Sequence, residues 1–434
     1  MTSEIAPTAD RTYVWVWLPG ATVPVVAGLL RRDARGGYGF VYGRSYLGRD
    51  DAISLFPDEL PLQPGEQRQR DDDLPSCLRD ASPDAWGRRV IANRLTGQRG
   101  ADAARIELDE LTYLLESGSD RIGALDFQTS PSVYRPREAE QDSLDDLLNA
   151  AERLDRGEPL SPALSLALQH GTSIGGARPK ALLTSAAGKF IAKFSTSNDL
   201  YNVVKAEYLA MRLARRAGLD VAPVALTQAL GRGVLLIERF DRIRHGTGWQ
   251  RPAMLSALTL LALRELEARY ASYEDLAHRV RRDFADPRPT LVEIYGRMVF
   301  NVLCGNTDDH ARNHAAFWDG RSYRLTPAYD LCPQPRTGGE ASQAMLLTGQ
   351  RRDSRLTTCL AAAPAFGIAA DQARALIDAQ IAVILRDWET VGDEAGLTLP
   401  ERRSLWRRQF LNPYCLEGYS PGIAIPDLSF GWNS

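Results

Sequence analysis

The chain has 434 residues, 44% hydrophobic and 25% charged, which excludes a disordered, fibrous or collagen-like protein. Lys plus Arg is 52 against 55 for Asp plus Glu, and a formal charge of −3 gives no bulk attraction to nucleic acid or an anionic membrane, so such a contact is local or made through a partner. Five scattered cysteines form no CxxC pair, no basic segment precedes an apolar core at the start, and no apolar run reaches the length of a membrane span; these features point to reduced thiols, a cytoplasmic location and no structural zinc.

At about 100 to 200 residues per domain, the length predicts two to four domains. From Tyr13 to Leu18 aromatic and aliphatic residues alternate, the period-two pattern of a strand covered on both faces. Gly36, Gly37, Gly39 and Gly43, interleaved with Tyr38, Phe40, Val41 and Tyr42, predict a second strand with turns. The stretch 57–73 lacks apolar periodicity and reads as an exposed loop. A helix is expected after Ser82, with Pro83 in its first turn and Trp86, Val90 and Ile91 on one face. Charged sequence over 136–146 marks a surface connection and a boundary. The segments are therefore 1–135, a β-rich domain; 136–245, a lobe with a glycine-rich loop; and 246–434, a mainly helical lobe.

Residues 171–180 read GTSIGGARPK and lead into two apolar runs, 180–184 and 190–194, a glycine-rich loop feeding a β-hairpin. Backbone N–H groups in such a loop can approach phosphate oxygens closely. The run matches neither GxxxxGK[ST] nor GxGxxG, so an ordinary turn fits as well. Lys193 is a lone cation among Ile191, Ala192 and Phe194. Beyond the caps Ser197 and Asp199, Val203, Ala206, Leu209, Ala210, Leu213 and Ala214 mark the buried face of a helix ending at Gly218. That helix could return Glu207 to Lys193, the lysine–glutamate pair that positions phosphates in kinases. The run 233–241 is a buried strand that turns polar abruptly. It fits either a connector whose backbone and Phe240 meet adenine, or an interior strand ending in a surface pair of Arg239 and Asp241. The apolar stretch 254–263 reads as a buried helix.

Leu291, Ile294, Tyr295, Met298, Val299, Val302 and Leu303 predict a helix that stops near Gly305. The polar run 306–313 follows, then a hairpin with its turn at Asp319-Gly320, then Pro327-Ala-Tyr-Asp330. Asp308 precedes Asn313 by the D-x-x-x-x-N spacing of a kinase catalytic loop, and Asp330 occupies the place of the metal-binding aspartate after the hairpin. One carboxylate would accept or orient the hydroxyl proton, while an amide oxygen and a second carboxylate would hold Mg²⁺. Asp309, His310 and Arg312 could brace the loop, stabilise charge or contact substrate. A solvated turn, or a metal pair of His310 and His314 lacking the HExxH glutamate, are the other readings.

The chain resembles HipA-type serine/threonine kinases, toxins of bacterial type II toxin–antitoxin modules. The likeness rests on 74–76, Asp80, 82–83, 86–88, 120–125, 173–180, 238–242, 300–301, 306–310, 313–314 and 327–330. It implies a divergent two-lobed α+β protein-kinase-like fold, ATP and Mg²⁺ as cofactors, and a protein serine or threonine as acceptor, with an aminoacyl-tRNA synthetase as one target class. It also implies a helix-turn-helix antitoxin of HipB type that carries the protein to operator DNA. By motif, Asp308 is the base, Asn313 and Asp330 are Mg²⁺ ligands, and Lys193 contacts phosphate. Glu238 and Phe240 fall at the adenine connector, and Ser173, Gly175, Gly176 and Lys180 belong to the nucleotide loop. Ser173 is the autophosphorylation candidate, since a dianion there would hold the loop out of the ATP site. A catalytically weak corepressor subunit and a small-molecule kinase are the alternatives.

Overall fold

The structure, a computed structural model, describes residues 10–97, 106, 108–137, 143–155, 158, 178–185, 187–195, 199, 201–336 and 338–426. The chain divides into two compact units. One comprises Met1–Thr196, Gln228–Leu255 and Phe317–Arg321; the other comprises Ser197–Thr227, Ser256–Ala316 and Ser322–Ser434. These units cut the chain differently from the boundaries read at 135 and 245.

In the first unit a five-stranded sheet runs in the order Glu66–Gln67, Tyr38–Tyr42, Val25–Arg32, Arg11–Val16, Leu125–Gln128. Arg11–Val16 is buried on both faces from Val14 onward, as its alternation predicts. The neighbouring strand Val25–Arg32 has no period-two signal, because its run VVAGLL is apolar without alternation. Gly28 is essential to it: a Cβ there would meet the Val41 carbonyl oxygen at 2.2 Å. The helix after Ser82 begins at Ala85, and Asp84 is its cap, accepting from the Gly87 N–H at 2.7 Å. Ser82 instead donates to Glu110. Trp86, Val90 and Ile91 are buried, as the helix face predicts.

Lys180–Thr184 and Lys189–Phe194 form the expected antiparallel hairpin, with Lys180 opposite Lys193, and the second strand pairs with Arg232–Glu238. Trp86, Val90, Leu148, Ala181, Ala192, Phe194 and Val234 make one core cluster beneath them. The stretch 254–263 is not one helix. Ala253–Ser256 is a strand, and Ser256 then caps a short helix, Ala257–Leu260, through the Thr259 N–H.

In the second unit the helix Val203–Arg216 starts at Asn202, whose side chain accepts from the Lys205 N–H, rather than at Ser197 or Asp199. Its predicted apolar face is buried throughout. The helix Pro287–Cys304 packs its predicted apolar positions inward and ends at Gly305. Strands Ala315–Trp318 and Tyr323–Leu325 follow the polar run, as the pattern predicts. All five cysteines are buried, and none is in a disulfide. Among the described residues no helix is long and apolar enough to cross a membrane.

Candidate active site

Gly305 makes the turn that launches the polar loop. Its φ is +71°, and a Cβ there would meet the Gln409 carbonyl oxygen at 2.7 Å. Gly305→Ala should combine a left-handed strain of about 1–2 kcal/mol with this clash. A thermal melt is expected to show the apparent Tm several degrees lower.

Beyond the turn the chain folds back on itself. The Asp308 carbonyl accepts from the His310 N–H at 2.9 Å and from Asn313 Nδ2 at 3.3 Å. Asn313 sits in a single 3-10 turn, Ala311–Asn313, that begins at His310. Spending Nδ2 on the backbone leaves Oδ1 as the acceptor end of a buried amide. The Tyr329 hydroxyl donates to the Arg312 carbonyl at 2.7 Å, and the Arg312 side chain pairs with Glu265 at 2.6 Å, so the loop is tied down at Arg312 through both its main chain and its side chain.

Adjacent carboxylates go to opposite environments. Asp308 is exposed, whereas Asp309 is 2% exposed. Asp309 accepts from the Tyr273 hydroxyl and meets His314 Nε2 at 3.0 Å. Tyr273 and His314 also approach each other at 3.1 Å. Burial and the Asp309 charge hold the Tyr273 hydroxyl protonated, pushing its pKa well up. His314, one half of the alternative metal pair, is thus engaged in a buried trio. His310 is half-buried beside Asp308, and its Nδ1 lacks a hydrogen-bond partner.

Asp330 is brought to the same loop. Partial desolvation raises the Asp308 pKa; His310 opposes this, and the negative charges of Asp330 and Asp309 add to it. Among the described residues Asp330 is one of six non-glycine residues with positive φ, at +59°, and its carbonyl accepts from Asn306 Nδ2 and from the Cys332 N–H. Asp308, Asn313 and Asp330 together offer oxygen donors only, which suits a hard divalent cation. Among the described residues no group of three His, Cys, Asp or Glu side chains is placed to hold a metal. A cation here would complete its shell with water and phosphate oxygens, the habit of Mg²⁺ in phosphoryl-transfer sites.

The first unit holds Lys193, Lys180, Glu238 and Phe240. Lys193 is half-buried between Lys180 and Leu235 of the flanking strands. Lys180 is buried, and its ammonium pairs with Asp84 at 2.7 Å, which ties the hairpin to the helix Asp84 caps. Glu238 ends its strand exposed to solvent, and Phe240 packs edge-on against Phe317 with centroids 5.9 Å apart. Glu207 is buried on the helix Val203–Arg216, in the second unit. Ser173, Gly175 and Gly176 lie outside the described residues.

Arg239 and Asp241 do not form a surface pair. They are buried with Arg242 and Asp120, and Asp120 accepts from Arg239 at 3.0 Å, Arg242 at 2.9 Å and Lys189 at 2.5 Å. Asp241 accepts from both arginines and from the Gly123 N–H. Sequence reading of the residues missed this network. The available signal was the density of paired charges in 238–242 right after the uncharged run 233–237. It also passed over Tyr273, and named Asn301 only as part of the family likeness, without reading it as a polar residue in the apolar run of the helix Pro287–Cys304.

Residues 172–388 match the HipA-like C-terminal domain, and residues 16–128 match the HipA N-terminal domain. The chain belongs to the HipA family. Y4mE of Sinorhizobium fredii, which is named as a kinase, is 28% identical over 338 residues, covering 73% of this chain and 76% of that protein. The serine/threonine-protein kinase toxin HipA of Shewanella oneidensis is 28% identical over 148 residues, 30% of this chain and 34% of that one. A solved structure of Shewanella oneidensis MR-1 HipA with HipB and operator DNA superposes with a TM-score of 0.64 at 16% identity, covering 95% of this chain and all of that one. The fold is accordingly the α+β, kinase-like one of HipA, and the protein is a HipA-like kinase, a class that uses ATP.

Proposed function

We propose that this HipA-like chain is an ATP- and Mg²⁺-dependent serine/threonine protein kinase that acts as the toxin of a type II toxin–antitoxin module. The observation that supports this most is the convergence of Asp308, Asn313 and Asp330 on one loop, with oxygen donors only and with Asp308 exposed to an incoming hydroxyl. Asp308 would orient the acceptor hydroxyl and take its proton. A carboxyl pKa raised above its ordinary value makes a better base toward an alcohol. Asn313 Oδ1 and the Asp330 carboxylate would hold Mg²⁺, which supplies positive charge to the transferring phosphoryl group. Lys193 would contact ATP phosphate, and Glu238 and Phe240 would flank adenine.

The acceptor in this reading is a serine or threonine of a protein, with an aminoacyl-tRNA synthetase as the first class to try. The partner is a small helix-turn-helix antitoxin of HipB type. A chain of net charge −3 reaching operator DNA through such a partner needs no basic surface of its own. The setting is the cytoplasm, and Ser173 would be the autophosphorylated residue. Incubation with MgATP followed by mass spectrometry tests the last point: Ser173 should carry phosphate, and acceptor phosphorylation with Ser173 unmodified would refute it. Transfer of labelled γ-phosphate, with and without protein acceptors, tests the kinase reading as a whole. Folded protein that binds ATP yet transfers nothing would favour the corepressor subunit, and label on amino alcohols or sugars but not proteins would favour a small-molecule kinase.

A further inference from the structure

Asp330 holds a left-handed backbone conformation that is uncommon for a residue with a Cβ, though Asp adopts it more readily than most, so keeping it there requires contacts to its main chain. The requirement is visible. Asn306 is 1% exposed, and its Nδ2 donates to the Asp330 carbonyl at 3.3 Å and to Asn301 Oδ1 at 2.9 Å. Its backbone N–H donates to the Asn301 carbonyl at 2.9 Å, so one buried helix residue grips Asn306 at two points. Asn301 is equally buried, near the end of the helix Pro287–Cys304. The chain therefore runs from a rigid helix through two amides to the main chain of a strained carboxylate.

We infer that Asn306 is a positioning residue, which sets the direction of the Asp330 carboxylate by holding its backbone carbonyl, with Asn301 as the fixed anchor. The assignment rests on the kinase reading, in which Asp330 is a metal ligand. A carbonyl–amide bond at the backbone cannot touch the cation. Its effect passes through the φ and ψ of Asp330: the Cys332 N–H holds the same carbonyl at 3.0 Å, and loss of the Asn306 bond removes the hold from the helix side, which lets the residue shift toward the common regions of φ/ψ space and re-aims the carboxylate.

The test is Mn²⁺ binding in the presence of ADP, followed by the electron paramagnetic resonance signal of free Mn²⁺, a readout independent of turnover. Asn306→Ala should weaken Mn²⁺ binding by about tenfold or more, the usual range for loss of a group that orients a ligand. Binding of ADP without metal should stay within twofold, and the transfer rate should return to within a few-fold of wild type at saturating Mn²⁺. Asn301→Ala, which leaves the Asn306 side chain in place but unanchored, should shift Mn²⁺ affinity in the same direction. It decides the matter if Asn306→Ala does not fold. A merely structural role predicts a lower Tm with Mn²⁺ affinity unchanged in the folded variants, and that result overturns the assignment. Failure of the wild type to bind Mn²⁺ would overturn the kinase reading and the assignment with it, whereas normal wild-type binding and an unmoved variant overturn the assignment alone.

Discussion

Asp308→Asn is expected to reduce phosphate transfer by about 10²- to 10⁴-fold, the contribution of a positioned general base, while leaving the protein folded and no less stable to heat. The two halves of this prediction have one origin. The carboxyl sits in partly desolvated surroundings that face the negative charges of Asp330 and Asp309, and its pKa is raised in the fold. A raised carboxyl pKa means that the contribution of this group to stability is present below the unfolded value, near 4, and is lost as pH rises through the folded value. At neutral pH the wild type thus carries an ionised group that the fold disfavours, and the amide removes it. Radiolabel transfer and a thermal melt on the same preparations check both: transfer lost with Tm equal or higher supports the base assignment, and a parallel fall in Tm would assign the loss to unfolding. Residual transfer within a few-fold of wild type would remove Asp308 from the mechanism.

Asp120→Asn is expected to be the most damaging substitution for stability. Burial alone would raise the Asp120 carboxyl, but the charges of Arg239, Arg242 and Lys189 outweigh it and hold its pKa well below the usual range. The Asp241 carboxyl, also buried, is held at about 2 by Arg239 and Arg242. Neutralising Asp120 leaves three cations with the single carboxylate of Asp241 among the groups that contact them. Breaking a buried ion pair from one side costs about 3–5 kcal/mol, equivalent to about 10 °C in the Tm of a unit of this size. Because both carboxyl pKa values are depressed, their contribution is present above the unfolded value and is lost as pH falls from about 4 toward 2. Wild type should therefore lose stability steeply in that window, and Asp120→Asn should start lower and fall less. A variant that melts with the wild type at neutral pH would show that the backbone carbonyls of Arg121, Gly123 and Asp241, which also accept from the two arginines, carry the network unaided.

Much of the fold was legible because each relevant pattern is local. The alternation at Tyr13–Leu18, the period of Leu291–Leu303, the hairpin around Ser185–Gly188 and the left-handed stop at Gly305 each follow from residues a few positions apart. Two expected caps were displaced, to Asp84 and Asn202, because side-chain oxygens compete for the same N–H groups and sequence proximity does not rank them. The strand Val25–Arg32 gave no period-two signal, since its run VVAGLL is apolar at successive positions and so lacks the alternation that reveals a strand.

By itself the sequence determined the chemistry on offer: the spacing of Asp308 and Asn313, the return of an acid at Asp330 after a hairpin, and the kinase-like order of loop, lysine, connector and acids. Only the tertiary structure decided which groups would be used. The spacing to Asn313 singles out Asp308, but what becomes of Asp309 beside it is settled by folding: Tyr273 and His314, each distant or offset in sequence, take Asp309 into the interior and leave Asp308 exposed. A surface pair of Arg239 and Asp241, one of the two readings open to 233–241, is likewise ruled out only because Asp120, more than a hundred residues earlier, meets them in the core. The physical reason is the same in both cases. A charged side chain is buried only where partners from other parts of the chain satisfy its charge and hydrogen bonds, and those partners are set by folding in three dimensions.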